Sequence, residues 1–266
     1  LCLERQTMKR PNLLLIQTDQ QKATSLDLFN RTMNYVPTTA LRTLAEEGVC
    51  FDMTYCPAPL CVPSRISMLS GLSPTRTGLI GNAPLMGDQY PSIFSAAKQQ
   101  GYHTMLVGKD HAYGGFSGDP GGHPEFMDDI FDRMYMAMHN GNQPAEIQRD
   151  LPHHLQFVQN TPALKQLWGS AVAPWNGDQS ITGRLCDVAS DYIGQWSAEG
   201  ATHPFAMWLS IPDPHEFYQC PQDVYAMLED AAIDLPPNWV ADMNRRSGYI
   251  RFMHWYFNSG GVPHDV

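Results

Sequence analysis

The chain has 266 residues, 17 basic and 27 acidic side chains for a net charge of −10, and 43% apolar residues. That balance reads as a folded globule rather than a disordered segment, and it argues against a nucleic-acid footprint. The length suffices for one large domain or at most two. No apolar run approaches the ~20 residues of a membrane span and no secretory segment is legible, so the expected setting is the cytoplasm, away from membranes. The six cysteines (2, 50, 56, 61, 186 and 220) show no zinc-type Cys-x-x-Cys pairing. Scattered thiols in a reducing compartment are the preferred reading, with a Cys56–Cys61 disulfide as the alternative.

Residues 1–11 read as a leader or non-native extension, with Met8 the first methionine that resembles a start. Asn12–Gln17 is a nearly continuous apolar run, as expected of a central parallel strand, and it empties into Thr18-Asp19-Gln20-Gln21. Taken alone, Asp19 is a turn residue before it is a ligand. Pro37–Gly48 carries helix punctuation at both ends, with Leu41, Leu44 and Ala45 as its core stripe. Val49–Tyr55 alternates apolar and polar residues and predicts a strand.

That strand delivers a proline-punctuated loop, residues 57–71, to a short helix. Pro63 suits a first-turn position, Ser64 can cap, and Ile66, Met68 and Leu69 begin an apolar face that Gly71 ends. Cys61 then looks at free backbone N–H groups and the positive end of a helix, with Arg65 nearby. Such a position suits an anion or an activated sulfur or oxygen nucleophile; the bland reading is a buried cysteine in a turn.

Ser73–Gly78 is loop, where Arg76 reads as solvated. Pro91–Gly101 predicts a second helix and His103–Val107 a strand that ends in Gly108-Lys109-Asp110-His111. Residues 112–177 read as a variable, pocket-shaping insertion in which Phe126–Phe131 and Leu151–Leu155 have no element assigned. His153 and His154 there read as structural rather than as ligands. Ile181, Leu185, Val188, Ala189, Tyr192 and Trp196 fall at helical spacing, so 179–197 is an amphipathic helix. Pro204–Ile211 is another buried strand, leading to Pro212-Asp213-Pro214-His215. A helix is expected from about 238 through Phe257, followed by an atypical tail, 258–266.

Helices alternating with apolar strands predict an α/β fold, a mostly parallel central sheet flanked by helices on both faces. In such a sheet the C-terminal strand ends share one edge, where ligands bind. Asp19, Lys109 and His215 each follow such an end, and Cys61 follows another strand at a helix start. One pocket would collect an acid, an amide, a nucleophile position, a cation and two imidazoles. That set suits in-line displacement at sulfur or phosphorus.

The run Cys61-Val-Pro-Ser-Arg65, the Asp19-Gln20 pair after the first strand, Gly108-Lys109-Asp110-His111 and the stretch Pro204–His215 occur in order. Together they resemble the type I sulfatases and their phosphonate monoester hydrolase relatives in the alkaline phosphatase superfamily. The resemblance covers about residues 10–257 and implies a catalytic domain over 12–257. It implies that Cys61 is oxidised to formylglycine by a formylglycine-generating or sulfatase-maturing enzyme. The hydrated aldehyde would then be both nucleophile and metal ligand, with Arg65 steadying it. Asp19 and Gln20 would bind one divalent metal, Ca2+ first, with Mn2+ or Mg2+ as alternatives. Lys109 would bind the anionic oxygens, His111 would serve the formylglycine hydroxyl, and His215 would contact the scissile-side oxygens, while Asp213 would hold its turn. The expected substrate is a small sulfate ester, with a phosphonate or phosphate monoester as the alternative. Where the family usually continues with Leu-Thr-Gly and a basic residue, this chain has Leu69-Ser70-Gly71-Leu72. In the family a later Asp-Asn or Asp-His pair and a lysine complete the site, and no such pair follows His215. The chain is therefore expected to represent the N-terminal part of the family fold, with an incomplete metal site and poor or no activity by itself. A non-catalytic remnant that binds an anion or a partner protein is the competing reading, and a hydrolase using the unmodified Cys61 thiol a more distant one.

Overall fold

The computed structural model describes residues 10–29, 38–82, 90–113, 126–131, 152–165, 170–215 and 218–228. They form two compact units: the first takes residues 1–20, 53–152 and 178–213, the second 21–52, 153–177 and 214–266.

The first unit is built on a sheet of β1 (Leu13–Thr18), β2 (His103–Gly108), β3 (Asp129–Phe131) and a strand from Phe205 to Ile211. The spatial order places the Phe205–Ile211 strand between β1 and β2, with β3 beyond β2, and every pairing is parallel. The register runs Leu13 to Ala206 through Thr18 to Ile211 on one side, and His103 to Phe205 through Gly108 to Ser210 on the other. The mostly parallel sheet expected from the sequence is therefore present. All seven residues of Phe205–Ile211 are buried, as its unbroken apolar run requires of a strand covered on both faces. Contrary to the central place expected from its apolar run, β1 lies at the edge of the sheet among the described residues, and its Leu14 and Ile16 are exposed.

Of the four helical segments of this unit, three follow the sequence punctuation, while one turn of helix lies within Ser73–Gly78, which was expected to be loop. One, α2 (Cys61–Ser70), ends at Gly71 in the left-handed conformation, φ 73°, which Gly adopts without a Cβ penalty. The short α3 (Pro74–Thr77) has Pro at its start, and α4 (Ile93–Gln99) opens with a reciprocal capping box between Ser92 and Ser95. A long helix, Ile181–Ala198, is capped by the Ser180 hydroxyl, which accepts from Gly183 N–H. The core joins Val62, Ile66 and Leu69 of α2, Phe94 and Ala97 of α4, Leu106 of β2, and Ala206 and Trp208 of the central strand. Trp208 is fully buried, stacks on Phe94 and donates its indole N–H to Gln17.

The second unit is slighter. It contains α1 (Thr39–Glu47), α5 (Pro152–Asn160), a parallel pair β4 (Ser170–Ala173) and a strand Tyr218–Pro221, and a short helix Gln222–Ala226. In chain order the later elements are α6 (Ile181–Ala198), β5 (Phe205–Ile211), β6 (Tyr218–Pro221) and α7 (Gln222–Ala226). Trp175 is buried among His153, His154 and Phe157, so the two histidines pack as aromatic neighbours.

Several expectations need correction. The predicted strand Val49–Tyr55 is irregular, and Val49, Phe51, Met53 and Tyr55 are all strongly exposed. Alternation marks side chains that would share a face, but a strand forms only on a neighbour's ladder, and none among the described residues pairs with this segment. The Leu41–Leu44–Ala45 stripe of α1 buries nothing, because no apolar surface among the described residues covers it. In α2 the helix begins at Cys61 itself. Leu60 is the cap residue and gives no side-chain bond, while Ser64 N–H donates to Leu60 O inside the first turn, so Ser64 does not cap. Met68 is exposed rather than on the buried face. β3, β4, α5, β6 and α7 were not legible in the sequence, being short or lacking clean periodicity. The proposed helix from about 238, the tail 258–266 and most of 114–151 lie outside the described residues.

Candidate active site

The chain ends of β1 and β2 and the first turn of α2 bring four of the expected residues together within the first unit. Asp19 follows β1 directly and is nearly buried. Its backbone N–H donates to Ile211 O (3.1 Å) and Asp213 O (3.3 Å), which fixes it against the end of β5. Lys109 follows β2, is fully buried, and its N–H donates to Ser210 O (2.8 Å). Its ammonium bonds the Asp19 carboxylate at Oδ2 and lies 3.9 Å from Cys61 Sγ. The Cys61 thiol is in turn 3.8 Å from each Asp19 oxygen.

Arg65, one turn into α2, completes the cluster from below. One guanidinium nitrogen donates to Lys109 O (2.9 Å), Asp110 O (3.2 Å) and Ser210 Oγ (2.8 Å); the other reaches Asp19 Oδ2 (3.2 Å). The group is 1% exposed and lies over the Trp208 ring. Its donors are thus committed to oxygens of the protein. Arg65 ties the start of α2 to the ends of β1, β2 and β5, so it holds the site together rather than presenting a free hand to a substrate.

These contacts require the strands to end close to one another. At Gly108, φ is 97° and a Cβ would stand 2.2 Å from Ser210 O, so only glycine lets β2 leave the sheet beside β5. His111 follows with φ 44°, a conformation rare for a residue with a side chain and costly enough to need support. The support is Asp110, whose buried carboxylate accepts from Ala112 N–H (3.0 Å) and Tyr113 N–H (2.9 Å).

Burial pushes the Cys61 thiol above its ordinary value; Lys109 pulls it down, Asp19 raises it again, and Arg65 opposes that. The net direction is upward, with burial the largest cause. A thiol here stays protonated and can donate toward Asp19.

The residues fit a hard divalent cation on the Asp19 side. Two donors 3.8 Å apart, Asp19 oxygen and the side chain at 61, can share an ion at the usual ~2.3–2.6 Å from each. An oxygen in place of the sulfur would improve that match. Gln20, the second expected ligand, is exposed with φ 60°. His215 is half-buried and belongs to the second unit. Cys56 and Cys61 are both free thiols, which removes the disulfide alternative. Residues the sequence reading missed are Ser210, which accepts from Arg65; Asp110, which shapes the His111 turn; and Asn82, whose side-chain oxygen takes the Val62 N–H (3.2 Å). Asp110 alone left a signal, an acid in a turn after a strand.

The chain has relatives among known proteins. The chain is 25% identical over 244 residues to a protein of Escherichia coli (strain K12) named uncharacterized sulfatase YidJ, covering 86% of this chain and 43% of that one. It is 25% identical to the choline-sulfatase of Rhizobium meliloti (strain 1021), covering 84% and 42%. Among solved structures, the phosphonate monoester hydrolase SpPMH from Silicibacter pomeroyi superposes with a TM-score of 0.64 at 21% identity, over 85% of this chain and 46% of that one. The chain thus spans less than half the length of these relatives. The sulfatase family profile matches residues 11–258, and the chain belongs to the sulfatase family.

Proposed function

We propose that residues 12–257 are the nucleophile-bearing part of a metal-dependent hydrolase of sulfate esters, in which Cys61 is converted to formylglycine. The observation that carries this reading is the buried meeting of Asp19, Cys61, Arg65 and Lys109 at the ends of β1 and β2. A raised thiol pKa makes the unmodified cysteine a poor nucleophile, whereas a hydrated aldehyde at the same position presents hydroxyl groups where the sulfur now lies.

In this reading Asp19 holds a divalent cation, Ca2+ first and Mn2+ or Mg2+ after it, with the side chain at 61 and Gln20 as further ligands. The ion supplies Lewis acidity toward the ester oxygens. Lys109 sits next to both Asp19 and residue 61, placed to neutralise charge on the transferred group. His111 and His215 are the proton-transfer groups, the first for the hydroxyl at 61 and the second for the leaving oxygen. One hydroxyl at residue 61 attacks sulfur and the ester alcohol departs; the second hydroxyl then loses its proton, sulfate leaves, and the aldehyde returns. Arg65 takes no proton and keeps the geometry.

The test is to co-express the chain with a formylglycine-generating or sulfatase-maturing enzyme and weigh the peptide containing residue 61. Exchange of the thiol for an aldehyde, lost in Cys61→Ala, is the expected result. A Cys61 that stays a thiol under conditions that convert another sulfatase would overturn the reading. The Asp19-Gln20 pair and the structural likeness to a phosphonate monoester hydrolase favour a second substrate class, phosphonate monoesters. Parallel turnover of an aryl sulfate and an aryl phosphonate by the matured protein ranks the two.

A further inference from the structure

The carboxylate of Asp213 is held by the first turn of α6: the Thr182 hydroxyl donates to Asp213 Oδ2. Thr182 is the second residue of that helix and is half-buried, as is Asp213. The backbone carbonyl of the same Asp213 accepts the Asp19 N–H (3.3 Å), a bond Asp19 shares with Ile211 O (3.1 Å). A continuous path of hydrogen bonds therefore runs from the α6 start, through the turn after β5, to the carboxylate-bearing residue at the end of β1.

We infer that Thr182 is a positioning residue for Asp19: its hydroxyl fixes the Asp213 turn, and the Asp213 carbonyl fixes the backbone of the metal ligand. This rests on the reading of Asp19 as a ligand only for its consequence in metal binding; the clamp itself stands on the three hydrogen bonds. Asp19 N–H has one acceptor at the end of β5, Ile211 O, and a second in the turn beyond it, Asp213 O, so the turn is what the strand pairing alone does not fix. Losing the Thr182 bond frees the Asp213 side chain and lets the turn carbonyl drift from Asp19. Outer-shell bonds of this kind typically change metal affinity 10–100-fold when removed.

The experiment compares Thr182→Val, which keeps shape and loses the hydroxyl, with Thr182→Ser, which keeps the hydroxyl. Two readouts are taken on the 266-residue chain: amide hydrogen exchange at Asp19, and Ca2+ affinity by calorimetry. In Thr182→Val, Asp19 exchange is expected to rise about tenfold while Leu106 and Leu209 keep their protection. Its Ca2+ affinity is expected to fall at least about tenfold, and Thr182→Ser should restore both. Unchanged Asp19 exchange in Thr182→Val overturns the clamp. A uniform rise across β2 and β5 also overturns it, because Thr182 would then merely support the fold. Should the wild-type chain, whose expected ligand set is incomplete, bind no Ca2+, the exchange comparison alone decides the clamp.

Discussion

The strand that runs through the middle of the sheet and the helix that opens the second unit have comparably clear sequence patterns and opposite fates. β5 buries all seven of its residues, while α1 buries none, although Leu41, Leu44 and Ala45 line one face of it. The difference shows that periodicity specifies which side chains share a face, and that burial then depends on what else is present to cover that face. β5 has β1 and β2 as ladder partners and α6 packed beside it. Everything chemical in the first unit hangs from these covered strand ends.

The sharpest way to break the contrast is at Arg65. Its guanidinium satisfies Lys109 O, Asp110 O and Ser210 Oγ and pairs with Asp19. Arg65→Met would leave those acceptors buried and Asp19 with one cationic partner fewer. The expected cost is about 3–5 kcal/mol, the range for removing one partner from a buried ion pair. It is read as a lowered denaturation midpoint followed by tryptophan fluorescence, since Trp208 lies under the guanidinium. A change below about 1 kcal/mol would mean that Arg65 serves the substrate instead of the scaffold.

A smaller effect is expected at Asp128, next to β3. Burial raises its carboxyl, but Lys98 and the Thr104 backbone and hydroxyl bonds outweigh that and hold it at about 2, below the ordinary 3.8. A lowered folded pKa stabilises the fold above the unfolded value, and the contribution is lost as pH falls through about 2. The pair is partly exposed, so screening limits it to about 0.5–1 kcal/mol. Asp128→Asn should therefore lower the unfolding midpoint at pH 7 and match wild type near pH 2. An equal deficit at both pH values would assign the loss to packing.

How much was readable beforehand follows the same physics. β1, β2, β5, α4 and α6 announced themselves because long apolar runs or clean caps fix them locally, and the motif residues Asp19, Cys61 and Lys109 were placed by the strand and helix ends they adjoin. Ser210 and Thr182 could not be found in this way. Ser210 is an ordinary polar residue inside an apolar strand, and its role exists only because Arg65, 145 positions away in sequence, arrives beside it. Thr182 reads as one more helix residue until Asp213 is seen against it. The Val49–Tyr55 pattern misled for the converse reason: its alternation is sound, but no ladder among the described residues receives it.

The smallest effect is the one that tests the comparison most directly. Leu44 is 60% exposed on α1, so replacing it removes little contact that folding had created. Leu44→Gln retains helix propensity and should change stability by no more than about 0.5 kcal/mol in denaturant unfolding. Were the loss to reach about 2 kcal/mol, the range of a buried leucine, the α1 stripe would have to be covered in solution. Repeating the titration at tenfold higher protein concentration then separates the ways of covering it. A stability that rises with concentration points to a second copy of the chain, and one that does not points to cover within the same molecule.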